Sequence, residues 1–331
     1  MPRRLLVALA LLLATGRMAA ADRITFGIHT PQENTSWQEL VATWQQAEKL
    51  GYDEAWGYDH FAPLRGSKDG PVLEGWTMLA GLATQTQKIR IGLLVTGNTY
   101  RNPALLAKMA TTVDHISNGR LNLGIGAGWE EYEHKAYGFQ FGTAKERAQR
   151  LGEALEVITL LWKGGHPSYT GRYYTLFEAP MAPEPIQKPH PPIVIGGQGP
   201  KWIMPLVAKY ADEWNVPIGL TPDDVRRRIA EMKAECTRIK RDPCVRKVSV
   251  FLPLVTITDI PLAGPATRLG ARALVDERVA GSLLAGSAAD IQGRLREFVD
   301  AGATGFIINV RAPFDHALLA RFATEVVPAF R

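Results

Sequence analysis

Four short stretches of this 331-residue sequence combine polar side chains with glycine in ways that could bind a ligand or move a proton. The first is Asp59-His60-Phe61, where the imidazole of His60 could hydrogen-bond a cofactor or exchange a proton near neutral pH. A structural histidine paired with Asp59 is the alternative. The second is Thr96-Gly97-Asn98, where two small polar groups flank a glycine that permits close approach to the backbone. A plain turn is the alternative here.

The other two stretches suit a flat ligand that carries a phosphate. In Gly124-Ile125-Gly126-Ala127-Gly128-Trp129, alternating glycines leave room for a planar ring against the backbone, and Trp129 could stack on that ring. Three acids follow, either as proton-transfer groups or as a solvated helix start: Glu130, Glu131 and Glu133. Gly196-Gly197-Gln198-Gly199-Pro200-Lys201 would open a helix, where free backbone N–H groups and a lysine suit a phosphate.

Each of these stretches follows a segment with the pattern of a strand buried on both faces. Eight such segments alternate with amphipathic helices: 24–28, 53–58, 89–95, 121–125, 193–196, 213–216, 248–254 and 305–310. Helix starts are indicated at Ser36, Thr221 and Ser287 by capping residues or a following proline. The pattern predicts an α/β fold, a (β/α)8 TIM barrel, with its site at the carboxyl ends of the strands. A doubly wound sheet is the alternative, but its glycine fingerprint after the first strand is missing.

The chain divides into an N-terminal segment, residues 1–21, and a single barrel domain, residues 22–331. Residues 164–192 are rich in Pro, Gly and Tyr and are expected to form an insertion over the barrel mouth. The N-terminal segment has the three-part pattern of an export signal, and Arg3-Arg4 partly matches the twin-arginine type. Export would place the protein in the periplasm or outside the cell. Translation from Met18 would instead give a cytoplasmic protein.

Composition excludes several classes of function. Of the net charge of +5, three charges are arginines in the N-terminal segment, so the balance of the domain argues against nucleic-acid binding. The apolar N-terminal run is too short to span a membrane, and the scattered histidines fit no metal site. Cys236 and Cys244 are the two cysteines. Because Cys236 falls on the buried stripe of a helix, an unpaired core cysteine is favoured over a disulfide, which export would permit.

Several blocks of this sequence, in the same order, resemble the luciferase-like superfamily, and especially its branch of probable coenzyme F420-dependent oxidoreductases. The blocks are Ala47-Glu48-Lys49-Leu50-Gly51-Tyr52-Asp53, Asp59-His60-Phe61, Val95-Thr96-Gly97-Asn98-Thr99-Tyr100-Arg101-Asn102-Pro103-Ala104, Asp114-His115-Ile116-Ser117-Asn118-Gly119-Arg120 and Leu123-Gly124-Ile125-Gly126-Ala127-Gly128-Trp129. The resemblance implies a barrel that binds F420 or FMN at its mouth. It also implies a non-proline cis peptide near Leu94-Val95, behind the cofactor ring.

Site residues follow from this resemblance together with the polar stretches. The expected catalytic candidates are His60, Glu131 and Glu133. The expected cofactor-binding residues are His60, Leu94, Val95, Thr96, Asn98, Gly126, Gly128, Trp129, Gly196, Gly197, Gln198, Gly199 and Lys201. No metal ligands are expected.

Two positions depart from the family's patterns. Ala127 stands where bacterial luciferases carry an arginine for the FMN phosphate, which favours F420 as the cofactor. Trp129 stands where the F420-dependent sugar-phosphate dehydrogenases carry a catalytic glutamate, so glucose-6-phosphate is not expected as the substrate.

The resemblance therefore predicts an oxidoreductase that transfers a hydride between F420 and a small organic molecule. The first alternative is an FMN-dependent monooxygenase, which would need a flavin reductase as its partner. The second is a cofactor-binding protein without turnover. The oligomeric state is open, and a homodimer is compatible with the resemblance.

Overall fold

Parallel strands form a closed barrel in the computed structural model, which describes residues 23–259 and 283–331. In chain order the strands are β1 (Thr25–His29), β2 (Glu54–Gly57), β3 (Arg90–Leu93), β4 (Thr96–Gly97), β5 (Leu121–Gly126), β6 (Tyr169–Thr170), β7 (Thr175–Leu176), β8 (Ile193–Gly196), β9 (Glu213–Val216), β10 (Lys247–Ile257), β11 (Leu284–Gly286) and β12 (Gly305–Asn309). The order around the barrel is β1-β2-β3-β5-β8-β9-β10-β12, and β12 pairs with β1. The eight-stranded barrel is thus confirmed. The expected export signal lies outside the described residues.

Helices surround the barrel, and three of them begin where the sequence predicted capping residues. They are α1 (Trp37–Lys49), α2 (Gly75–Gln85), α3 (Pro103–Ile116), α4 (Glu131–Ala136), α5 (Ala144–Leu161), α6 (Met204–Tyr210), α7 (Pro222–Arg238), α8 (Ala288–Asp300) and α9 (His316–Arg321). Ser36, Thr221 and Ser287 each form a capping box, in which side chains satisfy free N–H groups of the first turn. In the described part of the chain, no helix has the length and hydropathy needed to cross a bilayer.

The core has two parts that the alternation of strand side chains separates. The larger part lies between the strands and the helices, and it includes Phe26, Ile28 and Trp44. A smaller cluster of Trp56, Val194 and Ile307 packs separately, with Leu94 and Phe251 against it. Residues an even number of positions apart on a strand share one face. Trp56 lies two residues beyond Glu54, and Phe251 lies four beyond Lys247, so all four side chains face the inside of the barrel. The smaller cluster therefore fills the barrel between its two ends.

A buried ionic group occupies the end of the barrel opposite the mouth. Lys247 Nζ lies 2.5 Å from Glu54 Oε1 and 3.1 Å from Glu213 Oε2, and each of the three residues begins its strand. Burial raises the pKa of Glu213, and Lys247 opposes that shift. Burial alone would lower the pKa of Lys247, but the two carboxylates raise it. The positive charge of Lys247 offsets the free-energy cost of burying the carboxylates of Glu54 and Glu213.

The expected insertion, residues 164–192, packs against helices α5 and α3. Strands β6 and β7 form a hairpin that packs on α5, where Tyr173 N–H donates to Glu153 Oε2 at 2.8 Å. The chain then descends along α3, where Lys108 Nζ donates to the carbonyl of Ala182 at 2.8 Å. The hydroxyl of Tyr174 accepts a hydrogen bond from Asn98 Nδ2 at 3.4 Å. No residue of 164–192 lines the cavity at the carboxyl ends of the strands, so the predicted cover over the mouth is not observed.

Cys236 and Cys244 are joined by a disulfide, with their Cα atoms 5.7 Å apart. The favoured interpretation of Cys236 as an unpaired core cysteine is wrong, although its helix face is buried as expected. The chain reverses after α7, with Lys240 at a φ of 58°, and this turn brings Cys244 back to the helix. The spacing of apolar residues along α7 predicted that Cys236 is buried. It could not predict the turn after α7 that brings Cys244 back to the helix.

Replacing Lys247 with methionine should leave two buried carboxylates without their cation. We expect Lys247→Met to lower the free energy of unfolding by about 3–5 kcal/mol at pH 7, and by less at pH 5, because Glu213, whose pKa is raised, can take up a proton. Urea denaturation at the two pH values measures both effects. The control is Lys209→Met, which breaks an exposed pair with Glu156 and should cost at most about 1 kcal/mol. Equal losses in the two variants would contradict the prediction.

Candidate active site

A cavity of about 430 Å³ opens at the carboxyl ends of the strands. Eight of the expected cofactor-binding residues line it: His60, Leu94, Val95, Gly126, Gly128, Trp129, Gly196 and Gly197. The other five, Thr96, Asn98, Gln198, Gly199 and Lys201, do not. The structure therefore brings together at least one residue from each of the four stretches that the sequence singled out.

His60 is held at the cavity wall by a buried carboxylate. Its Nδ1 lies 2.8 Å from Glu133 Oε2, and its ring contacts Trp129 edge-on with centroids 5.5 Å apart. Because an ionised carboxylate can only accept, Nδ1 carries the hydrogen, and the lone pair of the neutral ring lies on Nε2. The alternative pairing of His60 with Asp59 is wrong.

Glu133 accepts three further hydrogen bonds besides that from His60. Its Oε1 receives the N–H groups of Phe61 at 2.8 Å and Ala62 at 3.0 Å, and its Oε2 receives the hydroxyl of Tyr100 at 2.7 Å. Burial would raise the pKa of Glu133, but the hydrogen bonds and the charge of His60 together lower it to about 2. A carboxylate bound in this way orients His60 and does not itself reach the cavity.

Of the three expected catalytic residues, only His60 faces the cavity. Glu133 is fully buried behind it. Glu131, two residues earlier on α4, is exposed and lies outside the cavity lining. Because a short helix presents successive residues in different directions, one acid turns inward and the other outward. The run of acidic residues in the sequence could not show which of Glu131 and Glu133 turns inward.

Asp59 has a separate task beside the histidine. Its carboxylate binds Arg101 through two bonds of 2.6 and 3.0 Å and accepts the N–H of Gly97 at 3.0 Å. These bonds tie the loop after β2 to the turn after β4. Asp59 therefore fixes the wall of the cavity next to His60.

The expected cis peptide joins Leu94 and Val95, and glycines make room for the side chain that it turns inward. A Cβ on Gly126 would lie 2.8 Å from Val95, and one on Gly196 would lie 3.0 Å from it. A Cβ on Gly124 would lie 1.9 Å from the carbonyl oxygen of Leu93. These glycines were expected to face a flat ligand, and they also leave space for Val95.

Thr96 and Asn98 lie behind the wall, so their expected contact with a cofactor is not supported. Thr96 Oγ1 accepts the indole N–H of Trp76 at 3.1 Å. Asn98 is 1% exposed, and its amide is directed to Tyr174. Both side chains support the turn that follows the cis peptide.

Only the first two residues of the expected phosphate loop line the cavity. The carbonyl of Gly197 accepts the indole N–H of Trp214 at 2.8 Å, and Gly197 has a φ of 129°, which favours glycine. Gln198, Gly199 and Lys201 do not line the cavity, and α6 begins three residues after Lys201. The loop expected to hold the phosphate therefore reaches the cavity only through Gly196 and Gly197, and Lys201 is exposed.

Sequence reasoning missed several residues of the cavity wall, including Tyr100, Asn215 and Phe251. Phe251 lies in the middle of β10, which continues to Ile257. Phe251 could not be found among the residues that follow each strand. The length of the apolar run that forms β10 was the available signal.

The end of β1 carries a second buried histidine that the sequence analysis did not select. His29 Nδ1 lies 3.0 Å from Asn309 Oδ1. Burial lowers the pKa of His29 to about 4, against the opposing effect of Asn309. His29 is therefore neutral at physiological pH and packs edge-on against Phe251. Within the described residues, no group of three or more His, Cys, Asp or Glu side chains could hold a metal ion.

The depressed pKa of Glu133 should stabilise the fold above pH 4.5, its ordinary value, and this stability should be lost as the pH falls toward 2. Relative to Glu133→Gln, the wild type should lose about 2 kcal/mol between pH 6 and pH 3, because only the unfolded carboxyl is protonated there. Urea denaturation at several pH values measures this difference. Glu131→Gln, on the same helix, should follow the wild-type profile. Parallel profiles for the wild type and Glu133→Gln would contradict the prediction.

The chain matches a known family. The family model described as luciferase-like monooxygenase matches residues 18–260, so the chain belongs to that family. It is 33% identical over 186 residues to an F420-dependent glucose-6-phosphate dehydrogenase of Amycolatopsis mediterranei, covering 56% of this chain and 54% of the relative. It is also 33% identical over 189 residues to an F420-dependent hydroxymycolic acid dehydrogenase of Mycobacterium tuberculosis, covering 57% of this chain and 51% of the relative.

These alignments span about half the length of the curated relatives. A solved structure of an F420-dependent secondary alcohol dehydrogenase in complex with an F420–acetone adduct superimposes over 93% of this chain and 99% of its own length. Its TM-score is 0.80 and its sequence identity is 22%. This similarity shows the shared barrel fold.

Proposed function

We propose that this protein is an oxidoreductase that transfers a hydride between coenzyme F420 and a carbon bearing a hydroxyl or carbonyl group. The observation that carries the proposal is the His60–Glu133 pair at 2.8 Å, which leaves Nε2 of a cavity-lining histidine as a base. The two relatives named as F420-dependent dehydrogenases support the choice of cofactor. The substrates named for these relatives are not proposed for this protein.

The residues of the cavity fit a flat cofactor. Gly126 and Gly196 present backbone and no side chain on either side of Val95, which leaves an uninterrupted surface for a ring. Gly197 begins the loop that would carry the phosphate. Ala127 also lines the cavity and offers no charge for a phosphate on that side. When bound, F420 supplies a carbon that accepts or gives a hydride.

His60 provides the proton transfer that this reaction requires. When the carbon of an alcohol gives up a hydride, its hydroxyl must lose a proton, and Nε2 of His60 is placed to accept it. The ionised Glu133 stabilises the resulting imidazolium, because it already accepts the hydrogen on Nδ1. In the reverse direction, His60 returns the proton to the oxygen of a carbonyl.

Trp129 favours a substrate with an apolar part. Its indole lies at the mouth, 62% exposed, with its edge against His60. Phe251 and Ile218 line the same cavity. A secondary alcohol or ketone with an apolar body would complement these side chains better than a sugar phosphate, which is consistent with the tryptophan at the position where sugar-phosphate dehydrogenases carry an acid.

An FMN-dependent monooxygenase is the second candidate, and the family name supports it. Such an enzyme must keep water from a reactive oxygen adduct and would need a separate flavin reductase. The exposure of Trp129 at the mouth argues against it. A binding protein without turnover is the third candidate, and any substrate-dependent change of the cofactor would exclude it.

Fluorescence titration of the purified protein with F420 and with FMN tests the cofactor. We expect F420 to bind more tightly, and we expect 2-propanol or larger secondary alcohols to reduce the bound F420 without oxygen. His60→Asn should lower kcat by roughly 10²–10⁴-fold with little change in the Kd of F420. His115→Asn, on the outer helix α3, is the control. Tighter binding of FMN would favour the monooxygenase, and full activity of His60→Asn would exclude its role as the base.

We further propose that the protein is exported. The Arg3-Arg4 pattern supports this proposal, and so does the pairing of both cysteines of the chain, because disulfides persist mainly in oxidising compartments. Arg3→Lys combined with Arg4→Lys should shift the protein from the periplasmic to the cytoplasmic fraction, where its thiols should react with a maleimide. An unchanged distribution of the double variant, or free thiols in the exported wild type, would refute export by this route.

A further inference from the structure

Two lysines lie against one exposed indole in the segment between β8 and α6. Lys201 Nζ lies 5.1 Å from the ring centroid of Trp202, and Lys145 Nζ lies 5.8 Å from it. We call these three side chains the Lys–Trp patch. The proposed proton transfer at His60 does not use them.

The packing of α5 against α6 fixes the position of the patch. Lys145 lies in the first turn of α5, and Trp202 lies two residues before α6. A Cβ on Gly152 of α5 would lie 3.4 Å from Leu206 of α6, so the two helices are in contact. Ile203, next to Trp202, lines the cavity together with Gly197. The patch therefore adjoins the loop that would carry the phosphate.

The patch has an excess of positive charge. Neither Lys145 nor Lys201 has a carboxylate within 4 Å among the described residues. Each ammonium group lies against the indole of Trp202. The nearest acid in sequence, Glu146, is engaged at the helix start, where it accepts the N–H of Thr143 at 2.7 Å. Two cations close to one ring give this surface a local positive charge, which would attract an anionic chain.

We propose that the Lys–Trp patch binds the carboxylate-bearing chain that follows the phosphate of F420. This inference rests on the proposed function. The two ammonium groups would neutralise carboxylates of the glutamyl chain, and the indole would pack against its methylene groups. FMN ends at its phosphate and has no group to place there. The patch would therefore contribute to selection of F420 over FMN.

Three probes separate the chain from the phosphate: F420 with its glutamyl chain, the phospholactyl form without glutamates, and FMN. We expect Lys145→Ala and Trp202→Ala each to weaken binding of the full F420 by roughly three- to tenfold, with no change for the other two probes. Lys145→Arg should restore most of the lost affinity. Lys163→Ala, an exposed lysine just beyond the other end of α5, is the matched control, and fluorescence titration at low and moderate salt measures each Kd.

The outcomes are distinguishable because Lys145 is exposed and its replacement leaves the core intact. An equal loss for the full and the phospholactyl forms would mean that the patch holds the phosphate, and it would overturn the proposal. Unchanged binding of the full F420 in both alanine variants would overturn it as well. If the wild type binds neither deazaflavin, the proposed function itself fails, and this result is visible before any variant is made.

Discussion

The carboxylate of Glu133 connects three separate parts of the chain at the barrel mouth. It accepts hydrogen bonds from His60, Phe61 and Ala62 in the loop after β2, and from Tyr100 in the turn after β4. Its own helix, α4, follows β5. Because Glu133 itself is fully buried, its hydrogen bonds are strong, and loss of the acceptor would leave four donors without this partner. The orientation of His60 is therefore a property of the whole mouth.

The neighbour of Glu133 on α4 makes a second attachment to the same turn. His134 Nε2 lies 2.6 Å from Thr99 Oγ1, and its Nδ1 lies 2.7 Å from the carbonyl of Glu130. Together with the Asp59–Arg101 pair, these bonds make one side of the mouth rigid. The loop after β8, the strand next to β5, takes no part in these bonds. Under the proposed function, proton transfer and anchoring of the cofactor's phosphate therefore depend on different loops of the barrel.

The sequence predicted the barrel well because its strands are apolar runs that alternate with helices, and three of those helices begin at clear capping residues. It also located the mouth, since every singled-out stretch follows a strand. The sequence did not predict which way a side chain faces or which residues far apart in the chain come into contact. Alternation could not show that Thr96 faces Trp76 and not the cavity, and an acidic run could not show which of Glu131 and Glu133 turns inward. The partner of Cys236 depended on a turn that helix periodicity does not describe.

The fit of Val95 between Gly126 and Gly196 has an evolutionary consequence. A Cβ added at Gly126 would lie 2.8 Å from Val95, and one at Gly196 would lie 3.0 Å from it. The valine would have to shift in either case, so each position limits what the other two can tolerate. Substitutions at these sites should be epistatic: a change that is harmful alone becomes acceptable only after the valine has become smaller. Lineages that diversify this enzyme can therefore vary the rim of the mouth one residue at a time, whereas the surface behind the ring must change by coordinated steps.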